Sequence, residues 1–508
     1  MIDTSNLLIQ AIIVPIILSV FALALGKTYG KHTGWIAFFG MLYSTVVLAF
    51  VNYGLFSGEI KNGLEASYDW GPYIGKFTLV ADGLSGLVAL TIALLSTLIA
   101  AYSISYMEHE HRLGAYFALY LIYGSGMIGT VLTTNLAAFF LFFELMLIPS
   151  WALVGVWGTG PKEAIAFKYF MFTEAGALSL LAGIVTTRSV SGTFDVFQIA
   201  KGIAKVDPTV QMWIVIAIML GLFVKMAIFP LHTWLPDAHA EAPTPISALL
   251  SPAMIGIGGY AAIRIVYTAF PIVLKSQEFT IGLSVLAIIT MFYGGAMALG
   301  QTDIKRLLAY SSISQMGYML FGIVSLSILG LTGAILLYVS HGLSKAILFM
   351  VAGILIHNFK TRDISNLSGL ASKMPYTAAA TLIGFLGLAG VPPLVGFWGE
   401  LFIFAGSMYS GLAGFVGFDM GRVLLTALAV VASILTAGYG LWTVRRVFYG
   451  ELSERVKDAK EGPVLMVAPI LVLAVIAVIL GVYPTVVSKI VGLEVSKLIE
   501  LLSAIMSR

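Results

Sequence analysis

The sequence predicts an all-α polytopic membrane protein of about 14 transmembrane helices, with two inverted five-helix repeats and broken seventh and twelfth helices. Three observations predict it. Of the 508 residues, 59% are hydrophobic and only 10% are charged, where soluble domains carry about 25% charged residues. Apolar stretches of about 20 residues, the length that crosses a bilayer, follow one another along nearly the whole chain. Two of those stretches, five spans apart, are interrupted by prolines.

The elements follow in order. Spans at 6–25, 34–57 and 78–106 make an N-terminal three-helix segment, 1–113. Met1 to Asn6 is short and weakly acidic, with no basic n-region or cleavage site, so the first apolar run is expected to be a retained span. Spans at 114–133, 135–157, 164–187, 211–235 and 244–268 make a first five-helix repeat, 114–268. Spans at 279–300, 308–327, 330–357, 378–408 and 422–444 make a second, 279–446. The span at 464–487 belongs to a C-terminal helix and tail, 464–508.

The seventh span runs into Phe229-Pro230 and Leu235-Pro236, and the twelfth contains Gly390-Val391-Pro392-Pro393. Proline removes a backbone donor and clashes with the preceding turn. Carbonyls freed in lipid must be met by protein or water, so broken helices line cavities. Breaks at matching places in two halves are a transporter pattern, and consecutive repeats with an odd number of spans must have opposite topology. Lys27, Lys31, Arg112, Lys162, Lys305, Arg306, Lys360, Arg362, Lys373, Arg445, Arg446, Arg455, Lys457 and Lys460 fall on one side. That side is expected to be cytoplasmic, with both termini outside the cell membrane.

Composition also excludes. With no cysteine, the chain holds no disulfide, iron–sulfur cluster or thiolate metal site. The net charge of +3 is spread over loops, and no Lys/Arg block suggests nucleic-acid binding. Nothing reads as a phosphate loop, a dinucleotide fingerprint or a nucleophile triad, so no cofactor is expected in this chain.

Glu144, Lys225, Lys345 and Glu400 fall near the middles of apolar spans. A charge there costs at least about 2.5–3.5 kcal/mol on insertion scales, so it has a partner or a task. Glu144 reads as a proton-carrying carboxylate, or as a carboxyl that merely holds two helices together. Lys225, one turn before the Phe229-Pro230 break, reads as a switchable lysine or as half of a static pair with Glu144. His341 and Lys345 are four residues apart and share a helix face, which suits a relay. Glu400 follows the second break and is expected at roughly the place Lys225 holds in the first repeat, as the terminal member of a chain.

Lys168, His232 and His239 are accessory candidates. Lys168 lies one turn inside its span and is expected to snorkel to the surface, with Glu174 as a potential partner. Arg264, near the end of the eighth span, is expected to be an interface anchor. His232, Asp237, His239 and Glu241 have metal-ligand chemistry, but their prolines and position fit a water-facing funnel better, and no metal is expected.

The run Phe229-Pro230-Leu231-His232-Thr233-Trp234-Leu235-Pro236-Asp237-Ala238-His239-Ala240-Glu241-Ala242-Pro243-Thr244-Pro245 resembles the signature of the antiporter-like subunits shared by respiratory complex I and Mrp cation/proton antiporters. Asp82 to Ser85, Asp303 to Ser312, and His341 to Phe349 match further pieces, so the resemblance covers essentially the whole chain. It implies a fourteen-helix fold in which two inverted repeats enclose a charged, water-lined axis. It matches Glu144 to the fifth-helix glutamate and Lys225 to the seventh-helix lysine. His341 and Lys345 match eleventh-helix positions, and Glu400 the terminal residue of the twelfth helix. The Glu at that last position, and the absence of a long lateral helix after residue 487, point to the branch similar to subunit M of bacterial complex I and the D-type component of Mrp antiporters. One departure stands out. Many relatives carry Lys or His in the eighth helix, where Ser247 to Met254 holds no titratable group.

The resemblance implies a proton- or Na⁺-translocating subunit with no redox centre of its own, working beside other membrane subunits and a peripheral redox module. That module would carry iron–sulfur centres, with nickel–iron in the hydrogenase case. Scarce Asn, Gln and Cys suit a thermophile, and the first expectation is an archaeal membrane-bound hydrogenase-type or complex I-like oxidoreductase. The alternative is a D-type component of a Mrp Na⁺/H⁺ antiporter without a redox module. A third reading is a structural subunit whose charges only fix helix packing.

Overall fold

The computed structural model describes residues 6–414 and 417–506; of the N-terminal stretch, residues 1–5 lie outside them. Two helices open the chain, α1 (Asn6–Tyr29) and α2 (Gly34–Ser57). A hairpin of β1 (Leu64–Asp69) and β2 (Lys76–Ala81) follows. Then come α3 (Ser85–Tyr106), α4 (Leu113–Leu132), α5 (Leu136–Trp157) and α6 (Lys162–Ser191). Helix α7 (Pro208–Met226) breaks and resumes as the short helix Leu235–Glu241. Helix α8 (Thr244–Tyr267) is continuous but widens into π-turns at Leu250–Met254 and Ile263–Tyr267. Next are α9 (Gln277–Leu299), α10 (Ile304–Ile323) and α11 (Ile328–Phe359). Helix α12 is broken into Pro375–Leu388 and Val395–Ala413. The chain ends with α13 (Met420–Phe448), α14 (Val464–Val482) and α15 (Thr485–Met506).

Among the described residues, 11 helical stretches are long and apolar enough to cross a membrane, with Asn6–Ser57 taken as one. The outer helices expose large apolar side chains such as Ile17, Phe39, Phe50, Leu424 and Ile434, as a lipid-facing surface does. Helices α8 and α11 form the opposite environment, buried along nearly their whole length. Close approach depends on small residues. A Cβ on Gly26 would sit 2.4 Å from the Cα of Gly114, so α1 and α4 touch backbone to backbone.

Two features differ from the spans expected from sequence. Residues 78–81, read as the start of the third span, belong to the strand Lys76–Ala81, and the helix begins at Ser85. The pairing is antiparallel, with Tyr68 opposite Phe77, and Trp70 stacks on Phe77 at 4.6 Å. The strand is tied to the α4–α5 loop by the Thr134 N–H, which donates to the Thr78 carbonyl at 3.0 Å. At the other end, Pro484 ends the last apolar run, and a 22-residue amphipathic helix follows it. From the sequence this stretch is expected to be a tail after the last span. Gly83 seats the helix, since a Cβ at Gly83 would lie 2.3 Å from the Ile490 carbonyl oxygen.

Candidate functional site

Helix α5 is fixed at its start by Asn135, whose side chain accepts from Ala137 N–H and Ala138 N–H. Glu144 lies two turns on. It is half-buried, and Lys225 and Glu174 are its charged neighbours. Glu174 thus faces Glu144 rather than Lys168, its expected partner.

Lys225 is buried at the end of α7, where Ala227 turns the chain at φ 55°. The carbonyl of Val224 accepts the indole N–H of Trp234 at 3.0 Å, so a side chain from beyond the break steadies the broken end. Among the described residues the Lys225 ammonium has no hydrogen-bond acceptor, and it lies 4.4 Å from the centre of the Phe143 ring. The closed Glu144–Lys225 ion pair considered from sequence is therefore not formed, although the two groups sense each other. A cation held by a ring and facing a carboxylate it does not touch can be paired or released by a small movement of α5 against α7.

The second half is built differently. Lys345 is fully buried on α11, and its ammonium donates to the Leu308 carbonyl at 2.8 Å and to the Ser311 hydroxyl. His341, one turn earlier, has Nε2 3.3 Å from the Ser251 carbonyl oxygen, while Nδ1 has no partner among the described residues. Since a carbonyl only accepts, Nε2 carries the proton and Nδ1 is free to accept one. Ser251 in turn meets Ser312 hydroxyl to hydroxyl at 2.7 Å, and Ser312 donates to the Leu308 carbonyl. One connected network thus links His341, α8, α10 and Lys345.

Glu400 is buried just after the break in α12, against Gly390. Gln315 from α10 donates to the freed Leu388 carbonyl at 3.2 Å, as Trp234 does at the first break. Gln315, Tyr318 and Tyr439 surround the carboxyl, and Tyr439 also faces Ser311, which bonds Lys345. Glu400 lies on the helix after its break, whereas Lys225 lies on the helix before its own. The two are therefore not at equivalent places, contrary to expectation.

The four residues with metal-ligand chemistry diverge. His232 stacks between Phe229 and Tyr293, with ring centres 5.4 and 4.6 Å away. Asp237 takes Lys168 at 2.7 Å and Arg306 at 3.0 Å. Glu241 takes Arg362 at 3.2 Å, and Arg362 also reaches Asp303. His239 points inward, fully buried against Phe349, with Lys305 near it on one side and Lys345 and His341 on the other. Among the described residues, no group of three or more such side chains could hold a metal.

Sequence reasoning missed or misread several residues. Arg264 is not an interface anchor: it is buried and bonds both carboxylate oxygens of Asp82 at 2.6 Å. The sequence reading singled out Ser251 as a bridge across the eighth helix, but the buried hydroxyls of Ser312, Tyr169 and Tyr338 escaped it, because nothing in an apolar run marks a hydroxyl as interior.

Comparison with known proteins gives the geometry a context. The family profile "NADH:quinone oxidoreductase/Mrp antiporter, TM" matches residues 133–426, and "NADH-Ubiquinone oxidoreductase (complex I), chain 5 N-terminus" matches 71–117. F(420)H(2) dehydrogenase subunit M of Methanosarcina mazei is 30% identical over 487 residues, covering 93% of this chain and 94% of that protein. A chain of respiratory complex I from Thermus thermophilus superposes with a TM-score of 0.85 at 26% identity, over 97% of this chain and 99% of that one. A chain of the membrane-bound sulfane sulfur reductase, an archaeal respiratory membrane complex, does so with a TM-score of 0.86 at 26% identity, over 98% of this chain and 99% of that one.

Proposed function

The chain belongs to the membrane-subunit family of NADH:quinone oxidoreductases and Mrp antiporters, and on that premise we propose that it moves protons or Na⁺ as an antiporter-like subunit of a redox-driven complex. The observation that carries the proposal is Lys225, a buried ammonium with no hydrogen-bond acceptor among the described residues, set against an aromatic ring near a carboxylate. Closing Glu144 onto Lys225 stabilises the charged lysine; opening the pair releases its proton toward Lys345 and on to Glu400. At an effective dielectric of ~20, a charge at ~4 Å is worth ~4 kcal/mol, enough to decide where a proton sits. Glu174 adds a second negative neighbour and strengthens the pull on Lys225. Lys168, His232 and His239 are assigned supporting places at the basic-loop side, His239 nearest Lys345.

The architecture supports this reading. Dividing Asn6–Ser57 into its two helices, and adding α10 and the broken α12, gives fourteen crossings. The α4–α5 loop bridges the segment after α6 at Asn135 and Asp195. The α9–α10 loop likewise bridges the segment after α11 at Asp303 and Asp363. All four residues cap helical turns with their side chains. With five crossings between them the two bridges would lie at opposite ends of the bundle, which supports reading 114–268 and 279–446 as an inverted pair of repeats. The segments 1–113 and 464–508 would flank those repeats. In this reading the basic loops face the cytoplasm and both termini face outward.

Partner subunits would supply the driving reaction through a peripheral iron–sulfur module, for which this chain has no cysteine. An archaeal complex of the membrane-bound hydrogenase or complex I type is the reading preferred here; a Mrp-type antiporter without a redox module is the alternative. Purification of the native complex through this subunit, with metal analysis, separates them: iron, with or without nickel, favours the first. In proteoliposomes of that complex, Glu144→Gln and Lys225→Ala should each lower ion uptake at least tenfold without loss of assembly. Uptake unchanged in both variants would sink the mechanism.

A further inference from the structure

One group of cations on the basic-loop side is left uncompensated. Arg445 and Arg446 lie in the last turn of α13, and their guanidinium carbons are 5.9 and 6.0 Å from the centre of the Trp442 ring. Trp442 and Tyr449 beside them are half-exposed. These four residues, with Ser365 and Ser368 from the loop after α11, line a surface cavity of about 450 Å³. Among the described residues, neither guanidinium has a hydrogen-bond or ion-pair partner.

Other cations on this side are matched. Arg306 takes Asp237, Arg362 takes Glu241 and Asp303, and Lys457 takes Glu454. Arg455 donates to the Asn366 side chain at 3.1 Å. Asp363, whose charge Arg446 and Arg455 sense, is engaged by the N–H and the hydroxyl of Ser365, at 2.9 and 2.7 Å, and pairs with neither arginine. Two like charges beside one ring, with no carboxylate bound to either, make a place that attracts an anion.

The surface leading to the cavity is apolar. Leu424 and Val431 lie about five and three turns before Trp442 and are exposed on the same face of α13. Gly438, one turn before Trp442, is also exposed, and a Cβ there would meet nothing nearer than Leu299 at 4.0 Å. No helix contact requires that glycine, and it leaves a notch beside the indole. Along one face, apolar surface thus gives way to an aromatic ring and then to two cations. A phospholipid has the same order, with an acyl chain, an interfacial region and a phosphate. An acidic segment of a partner protein would match the cations but not the apolar face that runs into them.

Aromatic and basic residues at the end of a span are ordinarily general interface anchors, and arginines in a last turn also suit the negative end of a helix. A general anchor is indifferent to the lipid headgroup. A pair of unmatched arginines at the mouth of an apolar notch is not, because anionic headgroups are drawn to clustered cations at the membrane surface.

We propose that the cavity between the end of α13 and the loop at 364–368 binds an anionic phospholipid, with its phosphate held by Arg445 and Arg446 and an acyl chain running over Trp442 and Gly438. The lipid steadies a loop that starts beside Arg362, the residue that ties Glu241 to Asp303. The proposal needs only that the chain lies in a membrane, and it stands whether or not the ion-translocating mechanism does.

The test uses the native complex purified through this subunit and placed in phosphatidylcholine nanodiscs. The probes are phosphatidylglycerol and phosphatidylcholine with brominated acyl chains, which quench nearby indoles, each added at the same mole fraction. Subtracting the signal of a matched Trp442→Phe protein isolates the quenching of Trp442. Brominated phosphatidylglycerol should quench it at least threefold more strongly than brominated phosphatidylcholine. That ratio should fall toward one at high salt and in the double variant Arg445→Gln with Arg446→Gln, while Arg445→Lys with Arg446→Lys keeps most of it. Equal quenching by the two lipids in the wild type would overturn the proposal and leave a general anchor. Quenching by neither would overturn it too, because a partner chain would then cover this face of α13. A preference that survives intact in the glutamine variant would show that other cations select the lipid. The wild-type comparison decides the matter even if the glutamine variant fails to assemble.

Discussion

Two buried lysines of like chemistry are held in opposite ways, and that difference separates their tasks. Lys345 is held by a carbonyl and a hydroxyl, whereas Lys225 has only the Phe143 ring and the pull of carboxylates it does not touch. In the proposed mechanism the first is a place to rest a charge, the second a place to release one. The Asp82–Arg264 pair is a third case, closed at 2.6 Å and almost wholly removed from solvent. Breaking one side of a buried pair leaves an uncompensated charge and costs about 3–5 kcal/mol, while replacing both sides with apolar groups can be neutral. Asp82→Asn should therefore lower the thermal midpoint of the purified protein clearly, and Asp82→Leu with Arg264→Met should recover most of it. If the single variant melts like the wild type, the pair is not holding α3 to α8. The mid-span charges were legible in sequence because a charge stands out in an apolar run. The partner of Arg264 was not, since it lies 182 residues away in the chain and pairing is set by packing.

The elements that matter most are the two interruptions, and at each a side chain bonds a carbonyl beside the break: Trp234 to Val224, which also accepts from the Ala227 N–H, and Gln315 to Leu388. Prolines made both breaks readable in advance. The hairpin was hidden, because the six residues Lys76–Ala81 alternate too briefly to be told from the start of a span. The π-turn at Leu250–Met254 was hidden as well, although its carbonyls are the ones that His341 and Tyr338 reach. At the second break Gly390 has φ 62°, and a Cβ there would lie 2.6 Å from a carboxylate oxygen of Glu400. Gly390→Ala therefore adds left-handed backbone strain of about 1–2 kcal/mol and displaces the terminal carboxylate. Ion uptake should fall several-fold in proteoliposomes while the complex still assembles. Full uptake would mean that Glu400 can occupy another position without loss.

At the scale of the whole molecule, the two halves are joined on the basic-loop side by the short helix Leu235–Glu241. Asp237 on that helix binds Lys168 of α6 and Arg306 of α10, so one carboxylate ties the first half to the second. Glu241 does the same through Arg362, which also holds Asp303. Burial alone would raise the Asp237 carboxyl, but Lys168 and Arg306 outweigh it and hold the group below the usual carboxylate range. A carboxylate lowered on folding contributes stability that is present above its unfolded value, about 3.9, and is lost as pH falls through the lower folded one. The clamp should therefore be fully engaged at any pH at which the protein works, and indifferent to changes between about 5 and 8. Asp237→Asn should lower the thermal midpoint by a similar amount at pH 7 and pH 5, with the gap to wild type closing only below about pH 4. It should also leave the two halves free to shift relative to each other, measurable as faster hydrogen exchange in Leu235–Glu241 and the start of α10. If the gap between variant and wild type has already closed by pH 6, some other group holds the halves together, and the clamp assigned to Asp237 is wrong.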